Sequence, residues 1–245
     1  MSLSLNAMFD AGALSGFYDR PIGQAVRGAI ANRIREIWPD LRAMRLLGYG
    51  FAPPYLEAFE GEAERAVALM PARMGALVWP AERPRTLLAD EDSLPFADAL
   101  FDRILVIHGL ENADAARMLL RQLWRILAPE GRILLVTPNR ASLWAQMERS
   151  PFACGRPFHR SELTHLLSDT LFEPQRWDRA LYMPPFAGAQ LSRFAKGIER
   201  LGRHVAPGIS GVHLVEASKS LYGRAAVKTP AGSKVRLQTA ATLQG

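Results

Sequence analysis

The chain has 245 residues, of which 49% are hydrophobic and 22% charged, and this composition excludes a disordered protein and supports one α/β domain. Four of the 30 basic residues are lysines, and the arginines are spread along the sequence, so the net charge of +6 does not indicate a nucleic-acid-binding surface. The single cysteine, Cys154, excludes an intramolecular disulfide and a cysteine zinc cluster, and no segment approaches the roughly 20 apolar residues of a membrane span. We therefore expect a cytoplasmic protein with no membrane span.

The N-terminal segment, residues 1–40, is predicted to be a helical extension. Apolar residues recur at helical spacing from Pro21 to Trp38, and Pro39 ends the pattern. Tyr18 belongs to an aromatic segment just before this helix, where aromatic rings can pack the helix against the core.

The next segment contains three short apolar runs that predict buried strands. These runs are Met44–Leu47, Ala66–Met70 and Thr86–Ala89. The first run leads into Gly48-Tyr49-Gly50, whose glycines allow a tight turn and close approach of a ligand to the backbone.

The rest of the chain continues the alternation of strands and helices. We predict strands from Phe101, at Ile133–Val136, at Gln175–Tyr182 and at Val212–Ala217. Helices are predicted along the Leu119 to Leu127 face, after an N-cap at Ser161, and near Leu191 to Leu201. Residues 227–245 lack apolar periodicity and are predicted to form a disordered basic tail.

Four local motifs follow each other in a characteristic order. They are the acid Asp90 at the end of the third strand, Leu94-Pro95-Phe96, Phe101-Asp102, and the turn Leu127-Ala128-Pro129-Glu130-Gly131. In this order they resemble class I S-adenosylmethionine-dependent methyltransferases, in particular the small-molecule "type 11"-like branch. The resemblance implies a Rossmann-like seven-stranded sheet with helices on both faces and the last strand antiparallel. It also implies that residues 41–226 form the methyltransferase-like domain and that residues 1–40 act as a lid.

The resemblance implies S-adenosylmethionine as the cofactor and indicates which residues hold it. Gly48, Tyr49 and Gly50 would meet its amino-acid end, Asp90 and Glu91 its adenine, and Met70 and His108 would lie beside it. An acid is common in this family two residues before the first glycine, where this chain has Leu46, and the second strand also ends without the expected ribose-binding carboxylate.

His108 is the candidate catalytic residue. A histidine after the fourth strand could take a proton from an acceptor, because its ordinary pKa lies near neutral pH. The alternative is a histidine that only hydrogen-bonds backbone at the end of a strand. Methyl transfer depends mainly on positioning an activated donor, so a general base is optional.

Substrate contacts are predicted at Tyr18, Asn139, Trp144 and Phe158, because ligands of open α/β sheets bind at the carboxyl ends of strands. Ordinary buried loops are the alternative for these aromatic segments. The histidines show no metal-ligand spacing, so no metal site is predicted.

The sequence alone leaves two functions open. The first is methyl transfer from S-adenosylmethionine to a small-molecule or lipid-like acceptor. The alternative is a catalytically inactive methyltransferase-like protein that binds a protein partner or a metabolite, which Leu46 and the carboxylate-free second strand favour.

Overall fold

The computed structural model describes residues 10–147, 150–186, 195–205 and 207–220. The strands are β1 (Arg45–Gly50), β2 (Arg65–Pro71), β3 (Thr86–Ala89), β4 (Phe101–Ile107), β5 (Leu127–Pro138), β6 (Phe172–Ala180) and β7 (Val212–Lys219). The helices are α1 (Ala11–Tyr18), α2 (Pro21–Ile37), α3 (Pro53–Leu56), α4 (Ala116–Ile126), α5 (Leu143–Gln146), α6 (Arg160–Asp169) and α7 (Ala195–Val205).

The seven strands form a single sheet in the order β3-β2-β1-β4-β5-β7-β6. Strands β1 to β5 run parallel, whereas β7 pairs antiparallel with both β5 and β6. The predicted Rossmann-like sheet with its last strand antiparallel is therefore confirmed.

Helices cover both faces of the sheet, as predicted. Leu46 and Leu47 are neighbours in β1, are both fully buried, and point to opposite faces. Leu46 packs in the core beneath α1, α2, α3 and α5, and Leu47 packs in the core beneath α4 and α6. A strand buried on both faces needs continuous apolar sequence, which explains the short apolar runs.

The Phe101-Asp102 motif joins the two central strands. The Asp102 carboxylate accepts hydrogen bonds from Arg45 N, Nε and Nη2 at 2.9, 2.9 and 3.0 Å. Beside the Arg45 guanidinium, the pKa of Asp102 is lowered. This bidentate contact fixes the start of β4 against the start of β1.

The N-terminal helices lie over the sheet. Asp10 caps α1, because its carboxylate accepts from Ala13 N at 2.7 Å. Helix α2 begins at Pro21, where a missing N–H costs nothing, and Trp38 beyond its end donates from Nε1 to Glu216 in β7 at 2.8 Å.

Some predicted elements differ from the structure or lie outside it. The N-cap of α6 is His159 and the prediction of Ser161 is wrong, because Glu162 turns back to accept from His159 N at 3.0 Å. Strand β6 begins at Phe172, three residues before the prediction. The predicted tail at 227–245 and the first part of the predicted helix near 191–201 lie outside the described residues.

Candidate functional site

The carboxyl ends of β1 to β4 meet at one edge of the sheet. Two features lie there, an exposed cavity beside β2 and β3 and a buried chain of polar side chains beside β1 and β4. The loop from β4 to α4 contributes to both, because it carries His108 and Glu111 on one side and Asp114 and Ala115 on the other.

The cavity has a volume of about 420 Å³. We call it the acidic cavity, because four carboxylates and one guanidinium contribute to its lining. Its lining residues are Pro71, Ala72, Arg73, Ala89, Asp90, Glu91, Asp92, Asp114, Ala115 and Met118.

Two predicted adenine contacts, Asp90 and Glu91, line this cavity in different ways. The Asp90 side chain is exposed, and no described group hydrogen-bonds its carboxylate. Glu91 accepts a hydrogen bond from Ala115 N at 2.9 Å, at the start of α4. Asp90 is therefore available to a ligand, whereas Glu91 also satisfies a free N–H at the helix N-terminus.

At the end of β2 the structure places apolar and basic groups. Met70 is fully buried, and its sulfur accepts from Leu77 N at 3.2 Å, so its side chain does not face the cavity. Arg73 forms an ion pair with Asp114 from the opposite wall, with 2.6 Å between Nη1 and Oδ1. The end of β2 contributes no carboxylate to the cavity, and Asp114 supplies one beside Arg73.

Gly48 and Gly50 belong to the carboxyl end of β1 and not to a separate turn after it, and packing requires both glycines. Gly50 has φ +82°, and a Cβ there would lie 2.2 Å from the carbonyl oxygen of Ile107 in β4. A Cβ on Gly48 would lie 2.6 Å from the Cβ of Ala52. Tyr49 between them is fully buried on the opposite face, and its hydroxyl has no described partner.

The second feature is a chain of buried polar side chains, which we call the Tyr–His–Glu chain: Tyr18, His108 and Glu111. The hydroxyl of Tyr18 lies 2.8 Å from His108 Nε2, and the hydroxyl of Tyr55 donates to that of Tyr18 at 3.0 Å. On the other side of the imidazole, Nδ1 lies 3.3 Å from Oε1 of Glu111. The structure therefore brings together Tyr18 and His108, two residues that the sequence suggested for different roles.

Burial determines the protonation of the tyrosines around the Tyr–His–Glu chain. His108 and Glu111 are each 2% exposed, and neither Glu111 oxygen makes a hydrogen bond within the described structure. Burial and the nearby hydroxyl of Tyr55 raise the pKa of Tyr18 well above its usual value. Burial likewise raises the pKa of Tyr55, so both phenols keep their protons.

Aromatic rings enclose the chain. Tyr18 stacks on Phe51 with ring centroids 5.6 Å apart and planes 8° apart, and Phe152 lies 5.0 Å from the His108 ring. His108 itself has φ +51°, a left-handed conformation that costs a non-glycine residue energy. Cys154 is also buried nearby, and burial raises the pKa of its thiol.

The other predicted substrate residues serve different parts of the fold. Asn139 joins two loops, donating from Nδ2 to Ser210 O at 2.8 Å. Trp144 lies on the same face as Tyr18, with its ring 5.6 Å from Phe152 and its Nε1 donating to the carbonyl of Met183 at 2.6 Å. Phe158 packs in the core on the opposite face, so the structure separates it from these rings.

Sequence reasoning did not single out Phe51 or Tyr55 as site residues, whereas Glu111 was expected among the substrate contacts at the carboxyl ends of the strands. Phe51 and Tyr55 come shortly after Gly50 at the end of β1, and their aromatic character was the available signal. Glu111 follows His108 by three residues, a spacing that reaches the imidazole only because of the turn after β4.

Two further properties concern the described residues alone. Their histidine, cysteine and acidic side chains form no group of three that could hold a metal ion. Within the same part of the chain, no helix has the length and apolar character needed to cross a membrane.

Comparisons with known proteins find matches among methyltransferases. Residues 46–135 match the family described as "Methyltransferase domain". An uncharacterized protein of Mycobacterium tuberculosis is 28% identical over 200 residues, which cover 76% of this chain and 66% of that protein's length. A demethylmenaquinone methyltransferase of Thermus thermophilus is 31% identical over 109 residues, covering 44% of this chain and 42% of that protein.

Solved structures show the same fold. The structure of an S-adenosylmethionine-dependent methyltransferase of Thermotoga maritima superposes with a TM-score of 0.58 and covers 88% of this chain and 99% of its own. The two chains are 15% identical, so this likeness concerns the fold alone.

Proposed function

We propose that this chain methylates a small-molecule acceptor with His108 as the proton acceptor, because residues 46–135 match a methyltransferase-domain family and the sheet has the fold of class I S-adenosylmethionine-dependent methyltransferases. The observation that carries this proposal is that the loop from β4 to α4 supplies both His108 and Glu111 of the buried Tyr–His–Glu chain and Asp114 of the acidic cavity. The cavity would hold the adenosyl part of the cofactor, and the chain would prepare the acceptor.

The residues of the acidic cavity fit an adenosyl group. Asp90 presents a free carboxylate that would accept hydrogen bonds from the adenine amine, and a charge-assisted bond of this kind contributes roughly 1.5–3 kcal/mol. Asp114 would take the role of the missing acid at the end of β2 and face the ribose hydroxyls. The excess of carboxylates also suits a cofactor that carries a positive sulfonium.

His108 would accept the proton of the acceptor. Glu111 beside Nδ1 favours the tautomer with a proton on Nδ1 and a free lone pair on Nε2. An acceptor hydroxyl would give its proton to Nε2, and its oxygen would take the methyl group while the C–S bond pair stays on sulfur. When bound, S-adenosylmethionine supplies this activated methyl group.

The comparison with the Thermus relative supports an acceptor of small-molecule type. That protein is named for demethylmenaquinone, and the matched segment covers less than half of either chain. The acceptor of the present protein is therefore proposed from its own site.

A second candidate is a methyltransferase-like protein without catalysis that binds a protein partner or a metabolite. It is favoured by Leu46, which is fully buried where the family commonly has an acid, and by the buried Met70 at the end of β2. Such a protein would keep the fold and lose usable cofactor affinity.

Calorimetric titration with S-adenosylmethionine and S-adenosylhomocysteine separates the two candidates. We expect micromolar binding, and we expect Asp90→Asn to weaken it about ten- to hundredfold, the value of one charge-assisted hydrogen bond. The matched control is Glu130→Gln, because Glu130 is an exposed carboxylate near the start of β5, at the opposite edge of the sheet.

Equal affinities of the two variants would reject the adenosyl assignment of the acidic cavity. No binding by the unmodified protein at millimolar cofactor would instead support the second candidate.

A further inference from the structure

We infer that Tyr18 occupies the position of the acceptor, and that the acceptor is therefore a hydroxylated aromatic ring. This inference rests on the proposed function and specifies its substrate class. In the closed state Tyr18 fills the acceptor position itself, so helix α1 must withdraw before the acceptor can bind.

The hydrogen bonds around Tyr18 have one consistent direction. Tyr55 donates its proton to the Tyr18 oxygen, Tyr18 can donate to His108 Nε2, and Glu111 lies at Nδ1. A hydroxyl, an imidazole and a carboxylate in this sequence form the arrangement that withdraws a proton from a hydroxyl in many hydrolases. A hydroxyl at the position of the Tyr18 oxygen is thus placed to give its proton to Nε2 as the oxygen takes the methyl group, although burial keeps that hydroxyl protonated beforehand.

The apolar surroundings fit a flat ring attached to that hydroxyl. Phe51 lies parallel to the Tyr18 ring, while Tyr55 and Phe17 meet it edge-on at centroid distances of 6.0 and 5.2 Å. Stacked and edge-on contacts of this kind are the favourable geometries for aromatic pairs. An aliphatic alcohol would lose the stacking interaction, and a neutral amine would be a weaker proton donor to Nε2.

Glu111 is the observation that a purely structural tyrosine leaves unexplained. A carboxylate that is 2% exposed and makes no hydrogen bond within the described structure is costly, and a core that only needed to hold Tyr18 would not require it. The left-handed backbone of His108 adds to this cost. Both features are expected where the imidazole must accept a proton.

Helix α1 is suited to withdrawal. It has eight residues and contains Gly12 and Gly16, and a Cβ on Gly16 would meet nothing within 4 Å. Packing therefore does not require a glycine at that position, where a glycine destabilises a helix relative to alanine. Withdrawal of so short a helix would expose Leu14 and Tyr18 but would break no strand pairing, because α1 is not part of the sheet.

The test uses 4-nitrophenol as the hydroxylated ring and 4-nitroanisole as the same ring with its hydroxyl methylated. Both are titrated against the full chain and the Tyr18→Ala variant, in which the position is vacated. We expect Tyr18→Ala to bind 4-nitrophenol about tenfold more tightly than the unmodified protein does. We also expect this variant to prefer 4-nitrophenol to 4-nitroanisole by about tenfold. The control is Tyr182→Ala, another buried tyrosine, which lies against α7.

In the unmodified protein the same ligand should open the lid. We expect 4-nitrophenol, and not 4-nitroanisole, to increase amide hydrogen exchange in residues 11–18. This measurement also covers the case in which Tyr18→Ala fails to fold.

Equal affinity of Tyr18→Ala for the two ligands would show that the vacated position does not recognise a hydroxyl group, and this would overturn the inference. The same preference in Tyr182→Ala, or unchanged exchange in α1 with saturating 4-nitrophenol, would also overturn it. The two ligands are titrated without cofactor, so this test is independent of S-adenosylmethionine binding. If the protein failed to bind S-adenosylmethionine but still preferred 4-nitrophenol, the proposed function would be refuted and the site for a hydroxylated ring would be retained.

Discussion

The acidic cavity and the Tyr–His–Glu chain lie on the same edge of the sheet but are built in opposite ways. In the cavity, Asp90 and Asp114 face solvent, so their charges are hydrated and easily rearranged. In the chain, His108 and Glu111 are removed from water, so each missing hydrogen bond carries an energetic cost. Under the proposed function, the exposed acids would bind the cofactor reversibly, and the buried polar groups would hold the imidazole that accepts the proton.

The largest expected effect is on catalysis at the buried chain. We expect His108→Gln to lower kcat by about 10²- to 10⁴-fold, the usual contribution of a general base, while cofactor affinity stays the same. Rates measured with a phenolic acceptor, together with calorimetry of S-adenosylmethionine, check both parts. An unchanged kcat would remove His108 from the chemistry and leave it as a structural contact of Tyr18.

A second buried histidine sharpens the comparison, because it lacks the carboxylate that His108 has. His213 in β7 is 5% exposed, neither ring nitrogen has a described partner, and burial lowers its pKa from 6.5 to about 4. Between these pH values the unfolded chain binds a proton that the folded chain excludes. Stability therefore falls as the pH decreases from 6.5 to 4, by at most about 3 kcal/mol.

Denaturant unfolding at several pH values measures this loss. We expect His213→Gln to remove most of it between pH 6.5 and 4, since a glutamine does not titrate. The control is His165→Gln, because His165 is exposed on α6. A variant that keeps the full acid sensitivity would assign it to other groups.

The smallest expected effect is on the stability of the buried chain. Glu111→Gln keeps the shape of the side chain and removes a buried charge, so we expect the free energy of unfolding to rise by about 1–2 kcal/mol. The same change should lower the rate with a phenolic acceptor, because it weakens the orientation of His108. A decrease in stability would contradict the proposed tautomer and indicate that His108 is positively charged and paired with Glu111.

A large part of the fold could be read from local sequence. Short apolar runs predicted the strands, and the Asp90, Leu94-Pro95-Phe96 and Phe101-Asp102 motifs carried the resemblance that implied a seven-stranded sheet with its last strand antiparallel. These signals are local because the periodicity of a strand and the conformation of a turn depend on residues close in the chain. Element boundaries were less certain, as the N-cap at His159 shows, since a cap depends on which side chain turns back.

The sequence by itself determined the class of fold, the implied cofactor, and the position of Asp90 at the end of a strand. Only the tertiary structure placed Tyr18 on His108, which are 90 residues apart in the chain, and placed Phe158 on the opposite face from Trp144. It also placed Asp114 on the wall of the cavity, where it pairs with Arg73 just after β2. The reason is physical: composition and periodicity act over a few residues, whereas contacts between distant residues follow from the order of the strands and the path of the loops between them.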